Sequence, residues 1–301
     1  MKRVKNINQQ PFGIPTVTRV ETLANKYIIK DKIGQGHLGE VFQATSIDSD
    51  QEFAIKFLTS TYANQERAIQ RFKREAKAAS ELEHPNIVKV YEFGDTEDGS
   101  CYIVMELIKG LTLRRMIRRN GPLEARDCVN IFLQVTDALA HAHGRGLVHR
   151  DLKPSNIIVQ NRGKEDQNIK LVDFGLARHI DSTKAAEEKV TLEGYVVGTP
   201  AYMSPEQCLG KTIDPRSDIY SLGCVMFRAL TGIAPVAGTT ARETMENQIH
   251  RTSVPLDRIP RHIIVPEDLK KIMEIALMKE PEDRYQKVEE MRSALSKANL
   301  D

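Results

Sequence analysis

The hydrophobic pattern of this chain changes character at residues 106–110, and this change limits the folds that it can adopt. Before it, short alternating or β-branched stretches predict strands, and residues 64–82 have helical spacing. His84-Pro85-Asn86 ends that helix because the residue before a proline avoids the helical region. After the change, long segments of helical period dominate. We therefore predict an α+β fold, with a small, mostly antiparallel β-sheet lobe followed by a larger, mainly helical lobe.

The predicted strands of the first lobe are residues 27–33, 40–44, 53–57, 87–93 and 102–105. The predicted helices of the second lobe are residues 125–143, 220–230, 240–250, 268–278 and 287–297, and the only strands expected there are 157–159 and 170–172. Residues 1–26 show no clear periodicity and are expected to form a flexible tail. The predicted boundaries are thus 1–26 for the tail, 27–108 for the first lobe and 109–301 for the second.

Charge and cysteine usage narrow the functional class. The 301 residues carry 43 Lys+Arg and 41 Asp+Glu, and this near balance argues against a nucleic-acid-binding protein. The four cysteines contain no C-x-x-C pair, which fits a reducing compartment. No apolar run approaches the length of about 18 residues that a membrane span needs. We expect a cytoplasmic protein without a membrane segment.

A glycine motif lies near the start of the first lobe. Gly34, Gly36 and Gly39 have the spacing G-x-G-x-x-G, and the strand-like stretch 41–44 follows them directly. A dinucleotide-binding fold would place a helix there, so we predict a hairpin instead. Glycines let backbone N–H groups come close to phosphate oxygens. A glycine-rich hairpin without a ligand is the alternative that this motif alone leaves open.

Lys56 lies in an apolar predicted strand, where an unpaired charge is costly. On a helical wheel of residues 64–82, Glu75 falls inside the apolar stripe that contains Phe72 and Ala76, whereas Glu66 and Glu81 point away. We therefore predict that Glu75 pairs with Lys56. The alternative is that Glu75 lies at the edge of the stripe and reaches solvent.

Residues 148–156 carry the most specific chemistry. Asp151 is a candidate base, Lys153 a cation two positions later, and Asn156 a candidate metal ligand. A predicted strand then ends at Asp173, before Phe174 and a glycine. Phosphoryl transfer needs a group that orients the nucleophile, a cation and oxygen ligands for Mg²⁺, and all three kinds occur here.

Taken together, these motifs resemble those of a eukaryotic-type serine/threonine protein kinase domain, most closely its bacterial members. The resemblance covers residues 27–298 as one catalytic domain with a protein-kinase-like bilobal fold. The matching positions are Gly34, Gly36, Gly39, Val41, Ala54, Ile55, Lys56, Glu75, His149, Arg150, Asp151, Asn156, Asp173, Phe174, Gly175, Ser204, Pro205, Glu206, Asp218 and Arg284.

The resemblance implies a non-specific protein kinase that transfers the γ-phosphate of ATP to serine or threonine hydroxyls of proteins. Its implied catalytic residues are Asp151, Lys153, Lys56 and Glu75, with Mg²⁺, or Mn²⁺ in its place, on Asn156 and Asp173. The implied nucleotide-binding residues are Ile33, Gly34, Gly36, Gly39, Val41, Ala54, Lys56, Met105, Glu106, Ile108 and Ile158. The resemblance also implies a buried Glu206–Arg284 ion pair and an Asp218 that accepts catalytic-loop N–H bonds. A helix N-cap is the other interpretation of Asp218, and the two are compatible.

An activation segment is implied between Asp173 and Glu206. Thr199 would support Asp151 and Lys153, and phosphorylation of Thr191 by a second copy would order the segment. Bacterial relatives often carry a second threonine at the position of Glu193, where the carboxylate either supplies a partial charge or marks a lost site.

Two other functions stay open at this stage, a pseudokinase scaffold and a small-molecule kinase. The presence of Lys56, Asp151 and Asp173 argues against the first, and Ser204-Pro205-Glu206, part of a peptide-docking surface, argues against the second. The sequence does not decide between a complete protein and the catalytic part of a longer one, which would lie at the cytoplasmic face of a membrane.

Overall fold

The computed structural model describes residues 22–36, 39–58, 65–96, 99–174, 178–179, 191–192, 195–196, 200–250 and 255–301. Within them the chain forms two compact units. The first contains the described residues up to Lys73 together with Tyr91–Leu107, and the second contains Arg74–Val90 and Ile108–Asp301. The chain passes between the units at 73/74 and 90/91, and a last time at 107/108, inside the stretch where the hydrophobic pattern changes.

A sheet dominates the first unit. Its strands are β1 (Thr22–Leu23), β2 (Tyr27–Gln35), β3 (Gly39–Ser46), β4 (Glu52–Leu58), β5 (Val90–Asp95) and β6 (Cys101–Glu106). In the described part of the chain their order is β1-β2-β3-β4-β6-β5, and successive neighbours from β1 to β6 run antiparallel. Thr22 pairs with Ile28, so the sheet begins five residues before the tail boundary expected at residue 27.

One face of this sheet forms an apolar cluster. Ala44, Ile55 and Val104 are fully buried in it, and the Tyr27 and Phe53 rings meet edge to face at 5.2 Å between centroids. Burial of this face on every second residue fixes the register of the strands, because a one-residue slip would expose it.

Helix α1 (Glu66–Ser80) follows β4 and confirms the predicted apolar stripe. Phe72 and Ala76 are buried, whereas Glu66 and Glu81 are exposed. The strand after α1 begins three residues later than predicted. Leu171 donates its N–H to the Asn86 carbonyl and accepts the N–H of Val88, so residues 86–88 pair with the second unit's chain instead of extending β5.

The second unit is mainly helical, as predicted. Its helices are α2 (Leu113–Asn120), α3 (Ala125–His143), α4 (Pro205–Cys208), α5 (Pro215–Thr231), α6 (Ala241–His250), α7 (Glu267–Ala276) and α8 (Val288–Lys297). Helix α5 is buried along nearly its whole length, and α3 packs against both α5 and α8. These contacts create the large apolar core that supports the loops of the candidate site.

The second unit also contains short strands, and the expectation of only two was wrong. They are β7 (Leu111–Thr112), β8 (Leu147–Val148), β9 (Ile157–Gln160), β10 (Asn168–Leu171), β11 (Arg178–His179), β12 (Thr191–Leu192) and β13 (Tyr195–Val196). The missed strands are two residues long, too short to show a period of two. Tertiary pairing of β7 with β9 and of β8 with β11 forms three of them, whereas β12 and β13 pair locally with each other.

Helix α5 starts five residues before its predicted beginning at Tyr220, and its true start corrects one interpretation. Asp214 is the N-cap, since its side chain accepts the N–H of Arg216, and Pro215 occupies the first helical position. Asp218 therefore lies inside the first turn and does not cap the helix.

Candidate active site

The loop between β8 and a 3₁₀ turn at Pro154–Asn156 carries the predicted catalytic residues. Asp218 of α5 holds its beginning, because its two carboxylate oxygens accept the backbone N–H groups of His149 at 2.8 Å and Arg150 at 2.9 Å. The prediction that Asp218 accepts N–H bonds from this loop is confirmed.

His143, at the end of α3, completes the surroundings of Asp218. Its Nε2 donates to the Asp218 carboxylate at 2.8 Å. Burial by itself would raise the pKa of Asp218, but the hydrogen bond and charge of His143, with the Arg150 N–H, outweigh it and lower that pKa. A fully buried carboxylate thus stays charged and holds the loop in place.

The His149 ring contacts the segment that follows β10. Its Nε2 donates to the Val172 carbonyl at 3.3 Å, and its Nδ1 accepts the Asp151 N–H at 3.3 Å. These two contacts select the tautomer with hydrogen on Nε2. The ring also packs against Phe174, with 4.6 Å between centroids. His149 is therefore a packed structural residue, as predicted, and it links Asp151 to the segment that contains Asp173.

Asp151, Lys153 and Asn156 form one cluster. The Lys153 ammonium lies 2.6 Å from an Asp151 carboxylate oxygen. The Asn156 amide donates to the Asp151 carbonyl at 2.9 Å and lies 3.3 Å from the same carboxylate oxygen. Asp151 and Lys153 are only partly buried, so the carboxylate can meet a hydroxyl from outside while its neighbours hold it in one orientation.

The surroundings of Asn156 fit a divalent cation. Its Nδ2 donates to Asp151, so its Oδ1 is left as an acceptor; it takes a long 3.4 Å bond from the Ser155 hydroxyl and is the atom that a hard metal ion would bind. The Asn156 carbonyl also accepts the N–H of Val172, next to Asp173, so the two predicted metal ligands belong to connected segments.

Two residues of the site have positive φ without being glycine. Arg150 has φ of 67° and Asp173 has φ of 59°. Such backbone conformations cost about 1–3 kcal/mol each and persist where surrounding contacts impose them. The contacts of Arg150 include the Asp218 bond and a 2.8 Å bond from the Gln207 side chain to its carbonyl.

Helix α4 is braced by the predicted buried ion pair, which is confirmed. The Arg284 guanidinium donates two 2.8 Å bonds to the Glu206 carboxylate, and the Ser217 hydroxyl donates a third at 2.5 Å. Burial would raise the pKa of Glu206, but the Arg284 contacts lower it. The charged pair thus fixes the chain at Glu206, the end of the implied activation segment.

The glycine motif forms a hairpin, as predicted. It joins β2 to β3, with the Gly36 N–H donating to the Gly39 carbonyl at 2.8 Å. A Cβ at Gly39 would lie 2.4 Å from the Phe57 carbonyl, so the sheet itself requires glycine there. At Gly34 and Gly36 a Cβ would meet no described atom closer than 3.7 Å. The described fold does not require those two glycines, and close approach of a ligand would explain them.

Four predicted nucleotide-binding side chains share one face of the sheet. The register places Val41 opposite Lys56, and Ala54 opposite Met105, across neighbouring strands. Lys56 and Ala54 are two residues apart on β4, so all four project to the same side. Lys56 is 5% exposed, which confirms that this charge is buried within an apolar strand.

Several predicted site residues take no part in the contacts described above. Ile33 is 46% exposed on β2, and Glu106, Ile108 and Ile158 are half-buried. The backbones of Glu75 and Thr191 are described but their side chains are not, and Thr199 lies outside the described residues. The predicted pairing of Glu75 with Lys56 therefore stays a prediction.

Three supporting residues were missed from the sequence. They are His143, which contacts Asp218, Gln207, which contacts Arg150, and Gln248, whose side chain donates to the Pro200 carbonyl at 3.2 Å and accepts the Tyr220 hydroxyl at 2.5 Å. Each is an ordinary polar residue on a helix. Their neighbours in the sequence are mostly polar or small, so no local signal marked them.

Comparison with known proteins shows the family of this chain. Residues 27–296 match the protein kinase domain family, and the chain belongs to it. It is 38% identical over 275 residues to the serine/threonine-protein kinase pkn3 of Myxococcus xanthus, and 40% identical over 276 residues to PrkC of Bacillus subtilis. PknB of Mycolicibacterium smegmatis is 36% identical over 282 residues.

These alignments cover 91%, 92% and 93% of this chain but only 50%, 41% and 44% of the three relatives. The chain thus spans half or less of the length of the curated relatives that it matches. Among the residues that the structure describes, no helix is both long and apolar enough to cross a membrane. The family implies ATP, a divalent metal ion and protein substrates.

Proposed function

We propose that this chain is an active serine/threonine protein kinase domain that transfers the γ-phosphate of ATP to serine or threonine hydroxyls of proteins. The observation that carries the proposal is the Asp151 carboxylate held by the Lys153 ammonium at 2.6 Å and by the Asn156 amide. The relatives named above are serine/threonine-protein kinases, which supports the same specificity.

Asp151 accepts the hydrogen bond of the substrate hydroxyl and aligns its oxygen with the γ-phosphate. Lys153, already beside that carboxylate, balances the negative charge that develops during transfer. The glycine hairpin contributes backbone N–H groups to the phosphates, and Lys56 contributes a buried ammonium to the α- and β-phosphates. Glu75 orients Lys56 in this proposal.

Mg²⁺ would be held by Asn156 Oδ1 and the Asp173 carboxylate. When bound, the ion neutralises phosphate charge and helps to orient the nucleotide. The adenine would contact Ile33, Val41, Ala54, Met105 and Ile158, and would bond to the backbone of Glu106 and Ile108. Residues 27–298 act as the catalytic domain in this proposal.

Regulation is a further part of the proposal. A second copy of the chain phosphorylates Thr191, and Thr199 supports the catalytic loop. Incubation with Mg-ATP followed by peptide mass mapping is expected to find phosphate on Thr191, and Thr191→Ala is expected to lower activity. Full activity with an unmodified Thr191 would contradict this step.

The central experiment measures phosphate transfer from ATP to a general protein acceptor. Asp151→Asn and Lys56→Met are expected to lower kcat by about 10²–10⁴-fold. Asp166→Asn and Lys164→Met, which make the same chemical changes at exposed positions of a surface turn, serve as matched controls and should retain activity. Equal transfer by all five proteins would refute the assigned roles.

A further inference from the structure

Helix α2 presents an unusual concentration of positive charge in the second unit. Its eight residues, Leu113–Asn120, include four exposed arginines and no acidic residue. These are Arg114, Arg115, Arg118 and Arg119. None of their side chains forms a hydrogen bond or an ion pair with any other residue that the structure describes. Like charges four residues apart destabilise a helix, so this arrangement has a cost that the described fold does not offset.

The four arginines form two rows on different sides of α2. Leu113, Met116 and Ile117 are buried and define the inner face of the helix. At about 100° per residue, Arg114 and Arg118 lie on one flank, while Arg115 and Arg119 lie roughly 100° further around. The two rows have the same composition but different surroundings, so one row can serve as a control for the other.

A further arginine lies on α5, next to the residue whose carbonyl accepts the Leu123 N–H just after α2. Arg228 of α5 is half-buried and forms no ion pair with a described residue. It lies two turns after Ser221 on the same helix face, and the Ser221 hydroxyl donates to the Tyr202 carbonyl at 2.7 Å. Burial raises the pKa of Tyr202, while the positive charges of Arg228 and Arg114 oppose that rise. The positive charges of two arginines on two helices thus both act on one tyrosine.

This cationic group lies beside the candidate catalytic loop. Helix α2 packs against the 3₁₀ turn Pro154–Asn156, which contains the predicted metal ligand Asn156. Tyr202 ends the 3₁₀ turn Pro200–Tyr202, and α5 packs against that turn. After α2, the Leu123 N–H donates to the Ala229 carbonyl at 2.7 Å, next to Arg228. The helices that carry the arginines thus pack against these two turns, α2 against Pro154–Asn156 and α5 against Pro200–Tyr202.

We propose that Arg114, Arg118 and Arg228 form a cationic subsite that binds acidic side chains of the peptide substrate near its acceptor hydroxyl. The inference rests on the proposed function and adds a substrate class to it. A guanidinium binds a carboxylate through two parallel hydrogen bonds, and a half-buried arginine gains more from an anion than a fully solvated one does. Charge complementarity therefore favours an acidic peptide.

The chain itself supplies a suitable probe peptide. Residues 185–197, AAEEKVTLEGYVV, contain Thr191 as their single serine or threonine, with Glu187, Glu188 and Glu193 around it. Replacing these three glutamates and Lys189 with glutamine gives a neutral counterpart of the same length. Binding is measured by fluorescence anisotropy of labelled peptide, and phosphate transfer is measured separately as kcat and KM.

The wild-type chain is expected to bind the acidic peptide more tightly and to show a lower KM for it. In Arg114→Ala/Arg118→Ala and in Arg228→Gln, the acidic-to-neutral preference should fall at least about fivefold, as expected for the loss of one or two ion pairs. The matched control Arg115→Ala/Arg119→Ala should keep the wild-type preference. An unchanged preference in the first two variants, or an equal loss in the control, would overturn the subsite.

A charge-reversal experiment separates the subsite from a general structural effect. Arg114→Glu/Arg118→Glu is expected to prefer a peptide with Glu187→Lys and Glu188→Lys, which a merely misfolded site would not do. Tighter binding of a single-stranded oligonucleotide than of the acidic peptide, lost in the same variants, would identify a polyanion site and overturn the proposal.

The two readouts keep the two proposals apart. Absence of transfer to every peptide would contradict the kinase proposal, while the binding preference would still decide the subsite. Transfer to acidic and neutral peptides with equal kcat/KM and equal binding would overturn the subsite and leave the kinase proposal standing.

Discussion

At the scale of single residues, the candidate catalytic loop depends on Asp218. This buried carboxylate accepts two backbone N–H groups of the loop and one ring N–H of His143. A carboxylate can accept all three bonds because it has two oxygens and no hydrogen. An amide would accept with one oxygen and bring an N–H₂ group toward donors.

Asp218→Asn is therefore expected to destabilise the protein by about 3–5 kcal/mol, the usual cost of breaking a buried charged pair, and to lower kcat. Urea unfolding and the kinase assay measure the two effects. Asp137→Asn is a suitable control, because Asp137 pairs with Arg292 at the surface and should contribute no more than about 1 kcal/mol. Equal losses in both variants would contradict the role assigned to Asp218.

Two buried carboxylates, Asp218 and Glu206, also make the stability of the protein sensitive to acid. The folded-state pKa values of Asp218 and Glu206 lie below the ordinary values of 3.8 and 4.5, so their stabilisation is present above those values. It is lost as the pH falls through the lower folded-state pKa values. We expect the free energy of unfolding to decline from about pH 4.5 downward, and Glu206→Gln to make that decline shallower. If the free energy of unfolding of the variant declined just as steeply with falling pH, the pKa of Glu206 would not be lowered in the folded state.

At the scale of elements, helix α4 is held by one ion pair and a reciprocal cap. Ser204 accepts the Gln207 N–H, and the Gln207 side chain accepts the Ser204 N–H. The four-residue helix is too short to be stable alone, so its position depends on the Arg284 contact with Glu206.

A double-mutant cycle tests this dependence. Arg284→Met leaves the Glu206 carboxylate buried without its guanidinium and should cost about 3–5 kcal/mol. Arg284→Met/Glu206→Gln should cost less than the sum of the two single changes, because the buried charge is removed with its partner. Additive losses, measured by denaturant unfolding, would show that the pair is not energetically coupled.

A histidine pair between two elements predicts a second pH dependence. The His84 ring, after α1, lies 5.0 Å between centroids from the His141 ring on α3. Burial lowers the pKa of both; Lys170 and Arg145 lower that of His84 further, and Asp137 opposes them. The folded state thus binds fewer protons than the unfolded state below pH 6.5, and stability should fall as the pH falls through that range.

His141→Phe should make this decline shallower when unfolding is followed between pH 7.5 and about 5.5. The exposed His262 offers the matched control, since His262→Phe should leave the pH dependence unchanged. A decline that is equal in all three proteins would assign the effect to other groups.

At the scale of the whole molecule, nucleotide binding should stabilise the folded chain by mass action. At a Mg-ATP concentration 100 times Kd, the gain is about 2.7 kcal/mol and should appear as a higher Tm. Lys56→Met should remove most of this shift, whereas Lys164→Met should retain it. An equal shift in both variants would place the nucleotide away from Lys56.

Much of the fold could be predicted because it depends on local pattern. The bounds of α3 agree with the prediction at both ends, since nineteen residues of helical period give a strong signal. Helix α2 was missed because arginines occupy half of its eight residues and hide the three buried apolar positions. Strands β7, β8 and β11 were missed because partners distant in the sequence form them, and β12 and β13 because two residues are too few to show a period.

The sequence by itself determined the identity and order of the chemical groups: glycines at a hairpin, a lysine in an apolar strand, and an aspartate, lysine and asparagine within six residues. Such groups are recognisable because their types and spacing are local properties of the chain. The tertiary structure alone decided which residues support them. Gln207 and Asp218 bond to the catalytic loop across 57 and 69 residues of sequence, and His143 bonds to Asp218 across 75. Packing of distant elements creates these contacts, and no local pattern encodes it.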